Sequence, residues 1–292
     1  MNIFIYGSIA FDIIFSINDD FRKSIPLIDG KIKNFNATYL AKEKKEFPGG
    51  TAGNIGFWLG QEKIGATIFS AWGKDFSQKK YQQKLENLGI KIVGYEGDFT
   101  ANAYIISDPL HQQLTIWQPN TYEKKLELNL KNYFSDNELQ KFQYAIFSAG
   151  TSDSITKHIQ EFRKKNKQAK IIFDPGQVSQ FFSKENFCTC LKNSDILIGN
   201  DVEFEYFKKF GIDDNLIQIE TLGEKGIRLK KDGKEKFFQS KKVENVVETT
   251  GAGDAFRAGF LSVFFQKEDW DAAIKKGCEL GAKCVKLSSA QF

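Results

Sequence analysis

The residues with the clearest chemical potential form a short turn, Gly251-Ala252-Gly253, followed at once by Asp254. Apolar residues then recur at near-helical spacing, which predicts that the turn opens a helix. The first N–H groups of a helix have no partner within it and lie at the positive end of its dipole, so such a turn attracts anions, phosphate above all. A carboxylate placed there can stabilise the helix start, or it can deprotonate a hydroxyl group that attacks phosphorus.

Two common nucleotide-binding motifs do not account for this turn. The dinucleotide fingerprint requires a third glycine at the position that Phe256 occupies. The Walker A loop requires a lysine before its final hydroxyl residue, and the nearest match, residues 60–67, has Ala66 there. The turn therefore needs another interpretation.

Polar residues elsewhere in the chain lie where apolar segments begin or end. Asp12 interrupts an apolar segment, and a buried acid is costly unless it caps a turn, is paired or has a function. Asn54 follows the paired glycines at 49–50, which allow a ligand to approach the backbone closely. Asn200 and Glu203 are three residues apart at a predicted helix start, so they can face one ligand or form a capping box.

Strands and helices alternate regularly in the second half of the chain. Apolar segments at 144–148, 170–173, 195–198 and 216–220 are predicted strands, and helical patterns separate them. A hairpin turn is predicted at 231–234. This alternation predicts a parallel sheet flanked by helices, and such sheets bind ligands at the carboxyl ends of their strands. Most of the polar motifs lie at such ends.

Composition excludes several classes of protein. The 292 residues are 41% hydrophobic and 27% charged with a net charge of +4, which is ordinary for a soluble globular protein. No basic stripe interleaved with aromatic residues indicates nucleic acid, and no apolar segment reaches membrane-spanning length. Residues 1–15 favour a core strand over a signal peptide. Four cysteines without a Cys-x-x-Cys pair, and two histidines, are too few for a zinc site or a disulfide scaffold, so we expect reduced cysteines and a cytoplasmic protein.

The sequence TTGAGDAFRAGF at 249–260 resembles the C-terminal signature of the ribokinase-like (PfkB) carbohydrate and nucleoside kinases, and GGTAGN at 49–54 resembles their N-terminal signature. The resemblance implies a three-layer α/β fold with a mostly parallel central sheet flanked by helices. It also implies a small β-sheet lid, inserted at about 13–45 and 94–118 in a single kinase domain of residues 1–292. In this family the lid often pairs subunits, so a homodimer through the lid is expected.

The resemblance also implies roles for individual residues. Asp254 would be the catalytic base, with Gly251, Ala252 and Gly253 as the anion hole. Residues of the first half, with one from the DPGQ sequence at 174–177, would bind the substrate: Ser8, Asp12, Gly49, Gly50, Asn54, Trp117 and Gln177. Residues of the second half would bind ATP: Asn200, Glu203, Thr221, Gly223, Gly226, Cys278 and Gly281. Mg²⁺ would arrive with ATP and be held through water near Asn200 and Glu203, with no direct protein ligand. For Cys278 and Gly281, helix packing is an equal alternative.

Several sequences resemble the bacterial adenosine kinase and archaeal nucleoside kinase branch, which implies an adenosine-like nucleoside phosphorylated on its hydroxymethyl group. There Trp117 would stack on the base and Gln177 would contact its edge, although residues 118–121 depart from the branch pattern. The alternatives are a sugar kinase of the ribokinase or fructokinase type and a non-catalytic relative, which the intact Asp254 disfavours. Glu248 replaces the aspartate with which many sugar kinases of the family build a monovalent-cation site, so activation by potassium is not expected.

Overall fold

The computed structural model describes residues 3–21, 37–110, 112–213 and 215–292. Within these residues, nine strands form a central sheet in the order β13-β12-β11-β10-β9-β8-β1-β4-β5. The seven strands from β11 to β5 along this order are parallel, and β12 and β13 extend the sheet antiparallel at one edge. The bounds are β1 Ile3–Tyr6, β4 Ala66–Gly73, β5 Ile90–Gly97, β8 Tyr144–Phe147, β9 Lys170–Phe173, β10 Ile196–Asn200, β11 Ile217–Thr221, β12 Ile227–Lys231 and β13 Lys234–Phe238.

Helices cover both faces of this sheet. They are α1 Thr51–Gln61, α2 Asp75–Gln78, α3 Tyr81–Asn87, α4 Asp136–Gln140, α5 Ser152–Lys165, α6 Lys184–Lys192, α7 Asp201–Lys208, α8 Ala252–Lys267 and α9 Trp270–Cys284. Short 3₁₀ helices span Asn120–Glu127, Leu130–Asn132, Gly176–Phe181 and Gly223–Lys225. In the described part of the chain, none of the helices is long and apolar enough to cross a membrane.

Alternating side chains of the parallel strands build two separate cores. One face presents mainly isoleucines, among them Ile5, Ile146 and Ile198, which pack against α1, α8 and α9. The other presents mainly phenylalanines, among them Phe4 and Phe147, which pack against α5, α6 and α7. A strand that is buried on both faces reads as a continuous apolar segment, which is why the sequence predicted these strands so well. The predicted layering, helix-sheet-helix, is confirmed.

A second sheet of four strands stands apart from the central one, in the order β3-β2-β6-β7. Its strands are β2 Ala10–Ile17, β3 Ala41–Gly49, β6 Ala101–Ser107 and β7 Gln113–Gln118. We call it the lid sheet. Residues 22–36 of the predicted lid segment 13–45 lie outside the described residues.

The predicted start of the second lid segment at 94 is wrong. Residues 94–97 are the end of β5, which pairs in parallel with β4 inside the central sheet, with Ser70 opposite Gly94. β5 is an edge strand, so polar and exposed residues alternate with its apolar ones. A strand of the lid sheet shows the same alternation, so the sequence alone did not distinguish β5 from a lid strand.

Candidate active site

Loops at the carboxyl edge of the parallel sheet bring the predicted site together. Ser8 follows β1, Asp174 follows β9, Asn200 ends β10 and Thr221 ends β11. Because these strands run in the same direction, their ends meet at one edge, where α8 also begins. Contacts described below join this edge to Asp12 and Gly49 on the lid sheet.

The glycine turn opens α8 as predicted. Gly251 is the N-cap residue and lies in the left-handed region with φ of 79°, and no side chain of the described residues caps the helix. A Cβ on Gly251 would lie 2.3 Å from Cβ of Ala290, so both the backbone conformation and the packing require glycine. Residues 251–254 are partly exposed to solvent. An uncapped and accessible helix N-terminus can bind a phosphate group.

Asp254 lies in the first turn of α8 and is half-buried. Its Oδ2 accepts a hydrogen bond of 2.8 Å from Nδ2 of Asn54, which is on α1. Burial raises the pKa of Asp254 to about 7, against the opposing effects of Arg257 and the Asn54 hydrogen bond. A carboxylate whose pKa lies near neutral pH is a strong enough base to accept a proton, and it is about half ionised at pH 7 and largely ionised at pH 8.

Asp12 brings a second buried carboxylate to this cleft. It is 6% exposed on β2, and a Cβ on Gly49 of the adjacent strand would lie 2.4 Å from its Oδ2. Burial raises the pKa of Asp12 to about 7, and the negative charges of Asp254 and Glu248 add to this effect. Asp12 and Gly49 are therefore adjacent, and the Asp12 carboxylate lies within electrostatic reach of Asp254.

Ser8 and Gly50 hold the start of α1. The Ser8 hydroxyl oxygen accepts from N–H of Thr51 at 3.1 Å, and its carbonyl oxygen accepts from N–H of Ala52 at 3.0 Å. Gly50 has φ of 82°, and a Cβ there would lie 2.6 Å from the Ser8 carbonyl oxygen. These contacts explain both residues structurally, so a substrate role for Ser8 remains a prediction.

Arg257 belongs to the site, although no role was predicted for it from the sequence. Its guanidinium pairs with Asp174 through two hydrogen bonds, the one from Nη2 at 2.6 Å, and both side chains are buried. A Cβ on Gly253 would lie 2.7 Å from Nη1 of Arg257, so the pair packs directly beneath the glycine turn. The sequence did contain an indication of a role for Arg257, because it is an arginine within the apolar face of a predicted helix.

Asn200 and Glu203 form a full capping box at the start of α7. Oδ1 of Asn200 accepts from N–H of Glu203, and Oε2 of Glu203 accepts from N–H of Asn200, each at 2.8 Å. The capping alternative is thus present. Burial raises the pKa of Glu203 and Arg257 lowers it, so this carboxyl lies within electrostatic reach of the glycine turn. A role near Mg²⁺ remains a prediction.

The predicted nucleotide residues surround the same edge. The Thr221 hydroxyl donates to the Gly199 carbonyl oxygen at 3.3 Å. Gly226 has φ of 112° and contacts the backbone of Phe238, whereas Gly223 has φ of 58° and lies in open space. Cys278 and Gly281 are partly exposed on α9, and burial raises the pKa of the Cys278 thiol to about 11. A Cβ on Gly281 would lie 3.4 Å from the Ala252 carbonyl oxygen, so this part of α9 borders the glycine turn.

Trp117 and Gln177 are exposed and do not contact each other through any described bond. Trp117 is on β7, 42% exposed, and its ring centroid is 6.3 Å from that of Tyr122. The Tyr122 hydroxyl donates to the Ala149 carbonyl oxygen at 3.0 Å. A Cβ on Gly176, which precedes Gln177, would lie 3.4 Å from Cβ of Ala149. Tyr122, which the sequence did not single out, therefore contacts Trp117 and bonds to Ala149, which lies beside the residue before Gln177.

Glu248 is buried before the glycine turn, and one of its carboxylate oxygens accepts several hydrogen bonds. Its Oε1 accepts from N–H of Thr249 at 2.8 Å, N–H of Thr250 at 3.1 Å and Nε2 of Gln113 at 3.1 Å. Gln113 is on β7, so this carboxylate ties the lid sheet to the segment that enters α8. The predicted lack of potassium activation remains a prediction.

A residue from the end of the sequence also enters the site. Gln291 is 3% exposed, and its Nε2 donates to Oδ1 of Asn54 at 2.9 Å and to the Tyr81 hydroxyl at 2.6 Å. No sequence pattern pointed to Gln291, because its partners lie 237 and 210 residues away along the chain.

Comparison with known proteins finds similar sequences over nearly the whole chain. A model of the pfkB family of carbohydrate kinases matches residues 23–292. A nucleoside kinase of Methanocaldococcus jannaschii is 27% identical over 295 residues, which span 98% of this chain and 90% of that protein.

Solved structures share the fold over nearly the whole chain. A crystal structure of M. jannaschii nucleoside kinase has a TM-score of 0.83 at 24% identity, covering 100% of this chain and 93% of its own. Burkholderia thailandensis nucleoside kinase in complex with inosine has a TM-score of 0.84 at 23% identity, covering 99% of this chain and 92% of its own. A ribokinase of Thermotoga maritima has a TM-score of 0.73 at 23% identity, covering 99% of this chain and 94% of its own. The predicted ribokinase-like fold with its lid sheet is therefore confirmed.

Proposed function

The chain belongs to the pfkB family of carbohydrate kinases, enzymes that use ATP to phosphorylate an alcohol group, and we propose that its acceptor is the hydroxymethyl group of an adenosine-like nucleoside. The observation that carries the proposed chemistry is the position of Asp254, half-buried at the uncapped start of α8 and bonded to Asn54. There a base and an anion site adjoin, as transfer of a phosphoryl group to a hydroxyl requires. The nucleoside is supported by the M. jannaschii relative and by the aromatic pair Trp117 and Tyr122.

Asp254 takes the proton from the acceptor hydroxyl group as the oxygen attacks the γ-phosphorus, an effect that contributes typically 10²–10⁴-fold in rate. The N–H groups of Gly251, Ala252 and Gly253 stabilise the negative charge that develops on the transferred group. Asp12 offers carboxylate oxygens to sugar hydroxyl groups, because one carboxylate can accept two such hydrogen bonds. Asn54, already bonded to Asp254, holds the base and borders the same hydroxyls.

The described residues fit a magnesium ion that arrives with ATP. The Asn200–Glu203 capping box leaves Oε1 of Glu203 outside the capping bonds, able to bond a metal-bound water. Mg²⁺ supplies positive charge that neutralises the β- and γ-phosphates. Thr221, Gly223 and Gly226, with Cys278 and Gly281 on α9, would line the rest of the nucleotide site.

A sugar kinase of the ribokinase or fructokinase type is the alternative, and the similar fold of the T. maritima ribokinase supports it. Asp12 and Asn54 would bind hydroxyl groups in either case and do not distinguish the two acceptors. Trp117 distinguishes them. Its flat apolar ring can stack on a purine or pyrimidine, whereas a free sugar has no flat face to stack on it.

Calorimetric titration of wild type and Trp117→Ala with adenosine, ribose and fructose tests the acceptor. We expect adenosine to bind wild type and to lose about 1–3 kcal/mol in the variant, the range for one base–aromatic stack. Leu114→Ala, at another exposed position of β7, is the matched control and should bind adenosine like wild type. Tight binding of a sugar to wild type with no detectable nucleoside would replace the nucleoside with the sugar.

The lid sheet also supports pairing of two copies of the chain. Leu114 and Ile116 on β7 are 43% and 59% exposed, and β7 is an edge strand of the described lid. Exposed apolar side chains on an edge strand favour pairing with another chain. Light scattering should show that wild type is a dimer and that Ile116→Lys is a monomer. A monomeric wild type would contradict the pairing.

A further inference from the structure

We propose that Tyr81 and Gln291 are positioning residues, which orient the amide of Asn54 so that it donates a hydrogen bond to Asp254 and holds this carboxylate ionised for proton abstraction. Neither residue reaches the reacting atoms, and both act through Asn54. This inference rests on the proposed role of Asp254 as the base. Four consecutive hydrogen bonds carry it, from Gly49 to Asp254, and the direction of each is fixed by the one before.

The direction begins at the Gly49 carbonyl oxygen, which can only accept. The Tyr81 hydroxyl lies 2.9 Å from it and must donate. Having used its single proton, the Tyr81 oxygen must accept from its other partner, the Gln291 side chain at 2.6 Å. Gln291 therefore turns its NH₂ group towards Tyr81, and not its oxygen.

The same NH₂ group lies 2.9 Å from Oδ1 of Asn54 and donates to it. With its oxygen turned to Gln291, Asn54 turns its own NH₂ group to Oδ2 of Asp254 at 2.8 Å. A flipped Gln291 would present an oxygen to Asn54. Asn54 would then flip as well and present an oxygen to a carboxylate, which is repulsive. The orientation of Gln291 thus decides whether Asp254 receives a hydrogen bond.

Packing holds Gln291 in place. The indole N–H of Trp58 donates to the Ala290 carbonyl oxygen at 2.9 Å, and Ala290 packs against Gly251. Oε1 of Gln291 is buried and has no partner among the described residues, so the two bonds of its NH₂ group set its orientation. The Tyr81 hydroxyl is equally fixed, because a Cβ on Gly53 would lie 2.0 Å from it. The side chains of this hydrogen-bonded chain are therefore closely packed.

Charged and titratable groups face Asp254 from every neighbouring element. They are Arg257 on α8, Asp174 after β9, Glu203 on α7, Asp12 on the lid sheet, Cys284 on α9 and Tyr81 on α3, while the charge of Glu248 before the turn acts on Asp12 and Cys284. Burial raises the pKa of Asp254, while Arg257 and the Asn54 bond lower it. Removing the Asn54 bond should therefore raise the pKa further, so that the base is protonated over a wider pH range.

Gln291→Met tests the inference, because methionine has nearly the same shape and cannot donate. We expect ¹³C-carboxyl NMR of aspartate-labelled protein, with the Asp254 signal assigned by its absence in Asp254→Asn, to show a pKa about one unit higher than in wild type. Losing a whole hydrogen bond to a charged acceptor would give about one to two units. Tyr81→Phe should shift it in the same direction by less. Gln266→Met, an exposed glutamine on α8, should leave it unchanged.

The second readout is the pH profile of kcat/KM with the accepted substrate. In Gln291→Met the ascending limb should move to higher pH, with about a tenfold loss below the pKa and full recovery near pH 9. An equal loss at all pH values would indicate that Gln291 only supports packing. An unmoved Asp254 titration in both Gln291→Met and Tyr81→Phe would overturn the inference. The NMR result needs no substrate, so it decides the matter even if no nucleoside is phosphorylated.

Discussion

Neutralising Asp12 should stabilise the ligand-free protein at alkaline pH. Burial raises the pKa of Asp12 to about 7, from an ordinary value of 3.8. A folded-state pKa above the unfolded value means that the folded protein binds the proton more tightly. The stability from this group is therefore complete below about pH 4 and is lost as pH rises through about 7.

The size of the effect follows from the shift. About three pKa units at 1.36 kcal/mol each set an upper limit of about 4 kcal/mol at pH 8. Relaxation around the ionised group reduces this, so we expect Asp12→Asn to raise the free energy of unfolding by about 1–3 kcal/mol at pH 8. For a chain of this size that corresponds to an increase in Tm of several degrees. At pH 4.5 the folded protein keeps Asp12 protonated while the unfolded chain is already largely ionised, so only about a quarter of the effect should be present there.

Urea unfolding at pH 4.5 and pH 8, without ligands, measures both values. Asp98→Asn is the matched control, because its carboxylate is exposed and its neutralisation should change the stability little at either pH. A variant that is destabilised by the same amount at both pH values would refute the reasoning, since the carboxylate would then contribute packing and not charge.

Four further outcomes follow from the site. Asp254→Asn should lower kcat by 10²–10⁴-fold with ATP binding near normal, and more than about a tenth of wild-type kcat would contradict its role as the base. Wild-type kcat/KM should rise about tenfold per pH unit below about 7 and level off above it, since the ionised base is the active form. Gly251→Ala should lower kcat severely, whereas Gly223→Ala, also at positive φ but in open space, should lose far less. Arg257→Met should cost about 3–5 kcal/mol in urea unfolding, because it leaves the buried Asp174 unpaired.

The sequence predicted the parts of the site that follow directly from local pattern. Asp254, Asn54 and Asn200 each lie within a turn of a helix start, where a small or polar residue ends one pattern and an apolar period begins. The parallel strands were predicted because burial on both faces leaves an uninterrupted apolar segment. Once the strands are parallel, their ends must meet, and the motifs at those ends must share one edge.

Contacts between distant elements carry no such pattern. The predicted lid boundary at residue 94 was wrong because apolar and polar residues alternate in an edge strand of a parallel sheet, as they do in a strand with one solvent-exposed face. Gln291 follows the last helix in a segment without periodicity, and nothing local distinguishes it from a solvated glutamine. The capping box of Asn200 and Glu203 was evident from spacing, but only the structure showed both of its reciprocal bonds.

The electrostatics of Asp254 explain why its pKa stays near neutral beside a buried arginine. Arg257 lies on the same helix, and a free guanidinium there would hold the pKa of Asp254 far below 7. Its charge is instead neutralised by Asp174, which pairs with it through two hydrogen bonds. The Asn54 amide then supplies a hydrogen bond without a net charge, which favours the ionised base only moderately. A base that is too acidic abstracts protons poorly and one that is too basic is protonated at pH 7, so the Arg257–Asp174 pair leaves Asp254 between these limits.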